Sequence, residues 1–277
     1  MESVSDQTPA EMAETAALVV GLAGLLDAGA VASETAIRLA DSGEVVGEID
    51  ADEAFSFSSM RPEVIDSEGV IAEPRWPRIG FRRVALPRAE LLILTGAEPS
   101  LQWRKLSERI VDTAVGSGSV RAVVVGATAA WVSHTQPPPI QVRTTDPSFI
   151  VDSTVVSEIE AASFSDVIEA GLRQRGVPTV AFTAQLPFYV EGVYWPGVAT
   201  LLRVLSGHLR TWLPRAGVEE AAARMLARLD RAVKIHPEMV ELVERLENKA
   251  EPYGQPAGDE DINQLLADLG ETTNPFR

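Results

Sequence analysis

Residues 90–126 read ELLILTGAEPSLQWRKLSERIVDTAVGSGSVRAVVVG. Glu90–Thr95 is a short, strongly apolar run of the length of a buried strand. Gly96-Ala97-Glu98-Pro99-Ser100 breaks the run with turn residues, and Leu101–Val115 follows as a helix that Gly116 and Gly118 terminate. Arg121–Gly126 is again a buried strand. Strands without a polar face must be covered on both sides, so the unit predicts a sheet sandwiched between helices.

The same grammar extends in both directions. Ala17–Leu22 (ALVVGL) reads as another buried strand. Leu25–Ala30 turns into a helix that runs through Leu39, and Glu44–Ile49 alternates as a second strand. This opening strand-helix-strand unit predicts a right-handed crossover and two neighbouring parallel strands. Phe55–Pro62 leads into a less regular region, where Ile71, Trp76 and Ile79–Leu86 suggest short antiparallel strands interrupted by prolines.

Downstream, Ser133–Pro139 (SHTQPPP) is excluded from helix and central strand, because consecutive prolines remove backbone donors. Gln141–Thr145 alternates like an edge strand, Ser165–Arg175 is a helix ended by Gly176, and Thr179–Ala184 is a further core strand. From Pro196 the chain is helical, with Val198, Leu201, Leu202, Leu205 and Leu209 on one face. Val218–Val233 and Pro237–Asn248 are two more helices. The expected architecture is a three-layer α/β/α sandwich on a mostly parallel sheet, with a C-terminal helical addition. The expected organisation is a flexible tail at 1–15, a core at 16–195 and helices at 196–250 packed on or beside it. An acidic linker and tail at 251–277 completes it, with a short amphipathic segment at Asp259–Leu269.

Composition narrows the function. The chain has 277 residues and a formal net charge of −16, which argues against nucleic acid and against an anionic membrane surface as partners. Cysteine is absent, removing disulfides, thiolate nucleophiles and Cys-ligated zinc. The only histidines, His134, His208 and His236, lie in distant segments, so no metal site is expected. Residues 1–14 are acidic and polar with no positive region before the apolar run, and Ala16–Leu26 is too short to span a bilayer. A cytoplasmic location is expected.

In an open parallel sheet, ligands sit beyond the carboxyl ends of the strands. The connections after the apolar strands carry Asp27, then Glu98 with Trp103, then His134 with Thr135, and then Gln185 with Tyr189. A carboxylate beside an imidazole in a partly dry cleft performs acid-base chemistry. The structural alternative is that Asp27 caps the following helix, Glu98 favours a helix N-terminus and His134 ties loop carbonyls. Arg61 in Met60-Arg61-Pro62 reads either as an anion clamp or as an Arg tied to a nearby acid. There is no G-x-S-x-G elbow and no G-x-x-x-x-G-K-[ST] loop, and Gly21, Gly24 and Gly29 do not match G-x-G-x-x-G. These glycines instead permit a tight turn and close helix packing. No cofactor is expected.

An ordered series of these loops resembles the bacterial and archaeal branch of the proteasome assembly chaperone 2 family. It comprises GLLDAGA (24–30), Asp50–Phe57 followed by Arg61-Pro62, LTGAEPSLQW (94–103) and Gly126 through the SHTQP loop. It continues with Gly176-Val177-Pro178, Leu186–Tyr189 and the helices ending in LVERLE (242–247). The resemblance implies a phosphorylase/hydrolase-like α/β/α fold, a small homo-oligomer such as a trimer, and protein contacts that assist assembly of another complex. Three positions depart from the family pattern. Ser133 and Gln136 stand in place of a proline and an arginine, and Phe188 in place of a histidine, which weakens acid-base catalysis and leaves a scaffold role intact. The expectation is therefore a non-enzymatic binding or assembly protein. Its alternative is a ligand receptor or hydrolase-like enzyme using Asp27, Glu98 and His134.

Overall fold

Burial dictates where each strand lies in the sheet. The computed structural model describes residues 16–64, 66–67, 70–71, 73–87, 89–145 and 161–248. In chain order these form β1 (Ala17–Ala23), one 3-10 turn (Ala28–Ala30), α1 (Val31–Ala40), β2 (Glu44–Ile49), α2 (Ala51–Ala54), β3 (Asp66–Ser67), β4 (Val70–Ile71), β5 (Ile79–Leu86) and β6 (Ala89–Ala97). They continue with α3 (Trp103–Gly116), β7 (Arg121–Ala130), β8 (Ile140–Thr144), α4 (Phe164–Gln174), β9 (Thr179–Pro187), α5 (Trp195–Leu209), α6 (Val218–Ile235) and α7 (Pro237–Asn248). The main sheet has the order β2-β5-β6-β1-β7-β9-β8, and β3-β4 is a separate ribbon. The expected tail at 1–15, linker at 251–258 and acidic segment at 259–269 lie outside the described residues.

The apolar strands β6, β1, β7 and β9 are mutually parallel and form the centre. Two antiparallel additions flank them, β5 beside β6 and β8 beside β9. β8 is an edge strand, as its alternation predicts. The expected side-by-side pairing of the first two strands does not occur. The β5-β6 hairpin is inserted between them, and β2 pairs antiparallel with β5 at the sheet's edge. The reason is polarity. β2 exposes Glu44, Val45, Val46 and Glu48 and buries only Ile49, whereas β1 is buried at every position from Ala17 to Leu22. A strand with so little to bury serves as an edge, and the more apolar β6 takes the place beside β1. In the irregular region, Ile71 lies in β4 and Ile79–Leu86 is one continuous strand, while Trp76 stays outside any strand and packs on Phe57 at 4.9 Å between ring centres.

Helices cover both faces. Val31, Ala32 and Ala36 of α1, Val198, Leu202 and Leu205 of α5, and Ala222 and Leu229 of α6 pack on one face. Leu106 and Ile110 of α3 and Phe164, Ile168 and Leu172 of α4 pack on the other. Gly21 permits α1 to approach: a Cβ there would lie 2.6 Å from the Ala32 carbonyl oxygen. Ser163 and Asp166 form a capping box that starts α4, and Gly176, with φ of 72°, follows its end. A third apolar cluster adjoins the first of these faces through Val190. There Met239, Leu242, Val243 and Leu246 of α7 meet Tyr189 and Val233.

Candidate functional site

The third cluster sits where β7 and β9 end. β7 runs to Ala130, and the proline-rich loop that follows cannot continue the ladder. Phe188, just past β9, donates its N–H to the Ala130 carbonyl, so the two strand-end segments stay together. On them stand Trp131 and Phe188, with ring centres 4.6 Å apart, and Tyr189, 5.4 Å from Phe188.

Tyr189 organises the loop around its hydroxyl. The oxygen accepts the His134 backbone N–H at 3.0 Å and lies 2.7 Å from Nδ1 of the His134 ring. Ser133 also bonds this oxygen, and its own Oγ lies 2.8 Å from Thr135 Oγ1. One proton joins the Tyr189 oxygen and Nδ1, and the ring tautomer decides which of them donates it. Nε2 faces Asp230 of α6 at 3.4 Å. Thr135 Oγ1 donates to Glu247 at the end of α7. Burial holds the His134 imidazole below its ordinary range, with Asp230 and Glu247 opposing that shift, and pushes the Tyr189 phenol up to about 12. Both groups are neutral near pH 7, and the His134 side chain is 1% exposed beneath the C-terminal helices. The arrangement is a polar pin between the loop and those helices.

The other candidates are used elsewhere. Asp27 accepts the Ser33 backbone N–H at 3.0 Å and the Ser33 hydroxyl at 2.6 Å, which ties the first turn of α1. Desolvation raises its pKa despite those bonds. Glu98 accepts the Leu25 N–H at 2.8 Å and the N–H of Phe164, the first residue of α4. It thus serves the N-terminus of α4 and not that of α3, which follows it in sequence. Trp103 opens α3, donates its indole N–H to Pro99 and meets Phe164 edge-on at 5.4 Å. Gln185 is fully buried on β9, with its backbone N–H on the Pro139 carbonyl. Arg61 lies exposed after Met60, with no ion pair among the described residues.

The structure therefore joins His134, Thr135 and Tyr189 and separates them from Asp27 and Glu98. Asp27 faces the α1 side of the sheet and Glu98 the α4 side. None of the sequence candidates lines the groove of about 220 Å³ between β2 and α3, which Val46, Phe81, Arg109 and Ile110 help to form. Among the described residues there is no group of three or more His, Asp or Glu arranged to hold a metal ion, and no helix is long and apolar enough to cross a membrane. Sequence reasoning missed Asp230 and Glu247. Glu247 meets a residue 112 positions away, and nothing in an exposed helical acid announces such a partner.

Fold and site together define an α/β/α sandwich whose strand-end loops are pinned under its own C-terminal helices. The sequence pattern of the PAC2 family matches residues 21–233, and the chain belongs to that family. Its fold is similar to that of a Mycobacterium tuberculosis protein of unknown function, at 26% identity and a TM-score of 0.79, over 88% of this chain and 86% of that one. It is also similar to a PAC2 family protein from Streptomyces avermitilis (27% identity, TM-score 0.72, 82% of this chain and 99% of that one). A third similar fold is a proteasome-assembly chaperone homologue from Mycobacterium tuberculosis (23% identity, TM-score 0.74, 82% and 99%). No curated protein matches the chain.

Proposed function

We propose that this chain is a non-enzymatic, cytoplasmic protein-binding factor of the assembly-chaperone type, acting as a homo-oligomer. The observation that carries the reading is that the carboxylates of Asp27 and Glu98, and the backbone N–H and Nδ1 of His134, are spent on holding the chain's own loops and helices. Side chains committed in this way support a scaffold and leave no acid-base pair facing a shared cleft. Membership of the PAC2 family supports the same reading, because a relative of the same fold is described as a proteasome-assembly chaperone homologue. The alternative, a ligand receptor or hydrolase-like enzyme built on those three residues, requires them to converge, and their bonds direct them to different elements.

The test is co-purification of the tagged chain from native lysate at several expression levels, with quantitative mass spectrometry, beside light scattering on the purified protein. Enrichment of a defined complex, together with a mass that is a multiple of the 29.8 kDa chain, is the expected result. A monomer that enriches no partner overturns the proposal.

A further inference from the structure

The His134 loop lies where the parallel strands end. At the other end of the sheet, where those strands begin, two arginines meet without a counter-charge. Arg121 opens β7. Side chains alternate along a strand, and Val123 and Val125 belong to the face covered by α1, α5 and α6, so Arg121 lies on that face too. α5 follows β9 and packs on the same face through Leu205 and Leu209. Arg210 caps its end with a left-handed backbone (φ 53°, ψ 35°), a conformation in which glycine is the usual residue. A long side chain kept at such a position points to a use for that side chain.

Loss of water, and next the neighbouring Arg210 guanidinium, hold Arg121 below the ordinary arginine range. Among the described residues no carboxylate pairs with either arginine, although the chain has 40 acidic residues to 24 basic ones. Arg121 Nε is shut off from water and donates to nothing, and among the described residues no other arginine or lysine is left so. Thr211, next to Arg210, is 6% exposed, and its hydroxyl is likewise without a partner. A cation taken partly out of water calls for a paired anion, and two cations side by side call for two negative charges.

We propose that Arg121 and Arg210 form a binding site for a phosphate group, with the Thr211 hydroxyl as a further donor. A phosphate dianion neutralises both guanidiniums, whereas a carboxylate neutralises one, and the planar fork of arginine matches a pair of phosphate oxygens. Arg121 is partly exposed and Arg210 fully so, which leaves the ion a way in from solvent. A net charge of −16 repels a polyanion, so the group is free phosphate or the phosphomonoester of a small molecule. The site lies away from His134 and does not depend on the protein-binding reading above.

The experiment is isothermal titration calorimetry of the full-length protein with inorganic phosphate, methyl phosphate and acetate, in chloride buffer of constant ionic strength. Saturable phosphate binding is expected, with acetate at least ~10-fold weaker. Arg121→Gln and Arg210→Gln should each weaken phosphate binding at least ~10-fold, while Arg104→Gln, an exposed change on α3 across the sheet, should leave it unaltered. If Arg121→Gln does not fold, the exposed Arg210→Gln decides alone. Tighter binding of methyl phosphate assigns a phosphomonoester as the ligand, and tighter binding of inorganic phosphate assigns the free ion. The proposal is overturned if the wild type shows no saturable binding, if acetate binds as well as phosphate, or if Arg104→Gln weakens binding as much as Arg210→Gln.

Discussion

Tyr189→Phe isolates the contribution of a single oxygen. The ring remains, so its contacts with Phe188 and α7 survive, and only the hydroxyl is lost. That hydroxyl serves the His134 N–H at 3.0 Å, His134 Nδ1 at 2.7 Å and the Ser133 hydroxyl. His134 is buried, so water does not replace the lost partner. Each orphaned buried group costs roughly 1–3 kcal/mol, and dropping the phenol's own desolvation offsets part of the sum, leaving a net loss of about 2–4 kcal/mol. In a chain of this size that lowers Tm by roughly 4–12 °C. The folded-state pKa of His134 lies below its ordinary value of about 6.5, so its contribution to stability is present above that pH and lost as pH falls toward the folded value. Burial is what lowers this pKa and phenylalanine keeps the site as dry, so Tyr189→Phe should leave the loss of stability below pH 6.5 in place. Tyr194 supplies the control. It is equally buried, but its hydroxyl has no hydrogen-bond partner among the described residues. Tyr194→Phe should therefore be neutral or stabilise by up to ~2 kcal/mol. Urea denaturation followed by circular dichroism reads both variants. If the two Tyr→Phe changes have the same sign and size, the assigned hydrogen-bond network at Tyr189 is wrong.

Three further substitutions probe the other positions. Glu98→Ala should cost about 1–3 kcal/mol by releasing the N–H groups of Leu25 and Phe164, and Glu98→Gln, which retains an acceptor, should cost less; equal losses would deny the carboxylate its role at α4. Gly96 has φ of 132°, and a Cβ there would lie 1.9 Å from the Arg78 carbonyl oxygen, so Gly96→Ala should destabilise by ~3 kcal/mol or more in denaturant titration; a change within ~0.5 kcal/mol would show that β5 yields freely. The raised pKa of Asp27 means that its carboxyl favours folding most below its ordinary pKa, near 4, and that this contribution is lost as pH rises through the folded value. Asp27→Asn should thus gain stability relative to wild type between pH 4 and 7, read as the difference of two thermal melts, and a relative loss would reverse the assignment.

Much of this protein was legible locally. ALVVGL, ELLILT, RAVVVG and Thr179–Ala184 announce central strands because a strand covered on both faces has no polar side, and the tertiary structure buries them so. Gly116 and Gly176 mark helix ends because a helix stops where the backbone turns left-handed or loses its side chain. The alternation of Glu44–Ile49 announced a strand, but pairing is decided by which strands have the most apolar surface to cover. The hairpin of β5 and β6 displaced β2 to the edge. The site divides in the same way. SHTQPPP and LPFY declared themselves as strand-end loops through their prolines, and the backbone joins them at Ala130 and Phe188. That Asp27 and Glu98 would turn to different helices, and that Asp230 and Glu247 would close over His134 and Thr135, was decided only by folding. A hydrogen bond between residues far apart in sequence leaves no periodicity to read, since it depends on where the packed helices set their side chains.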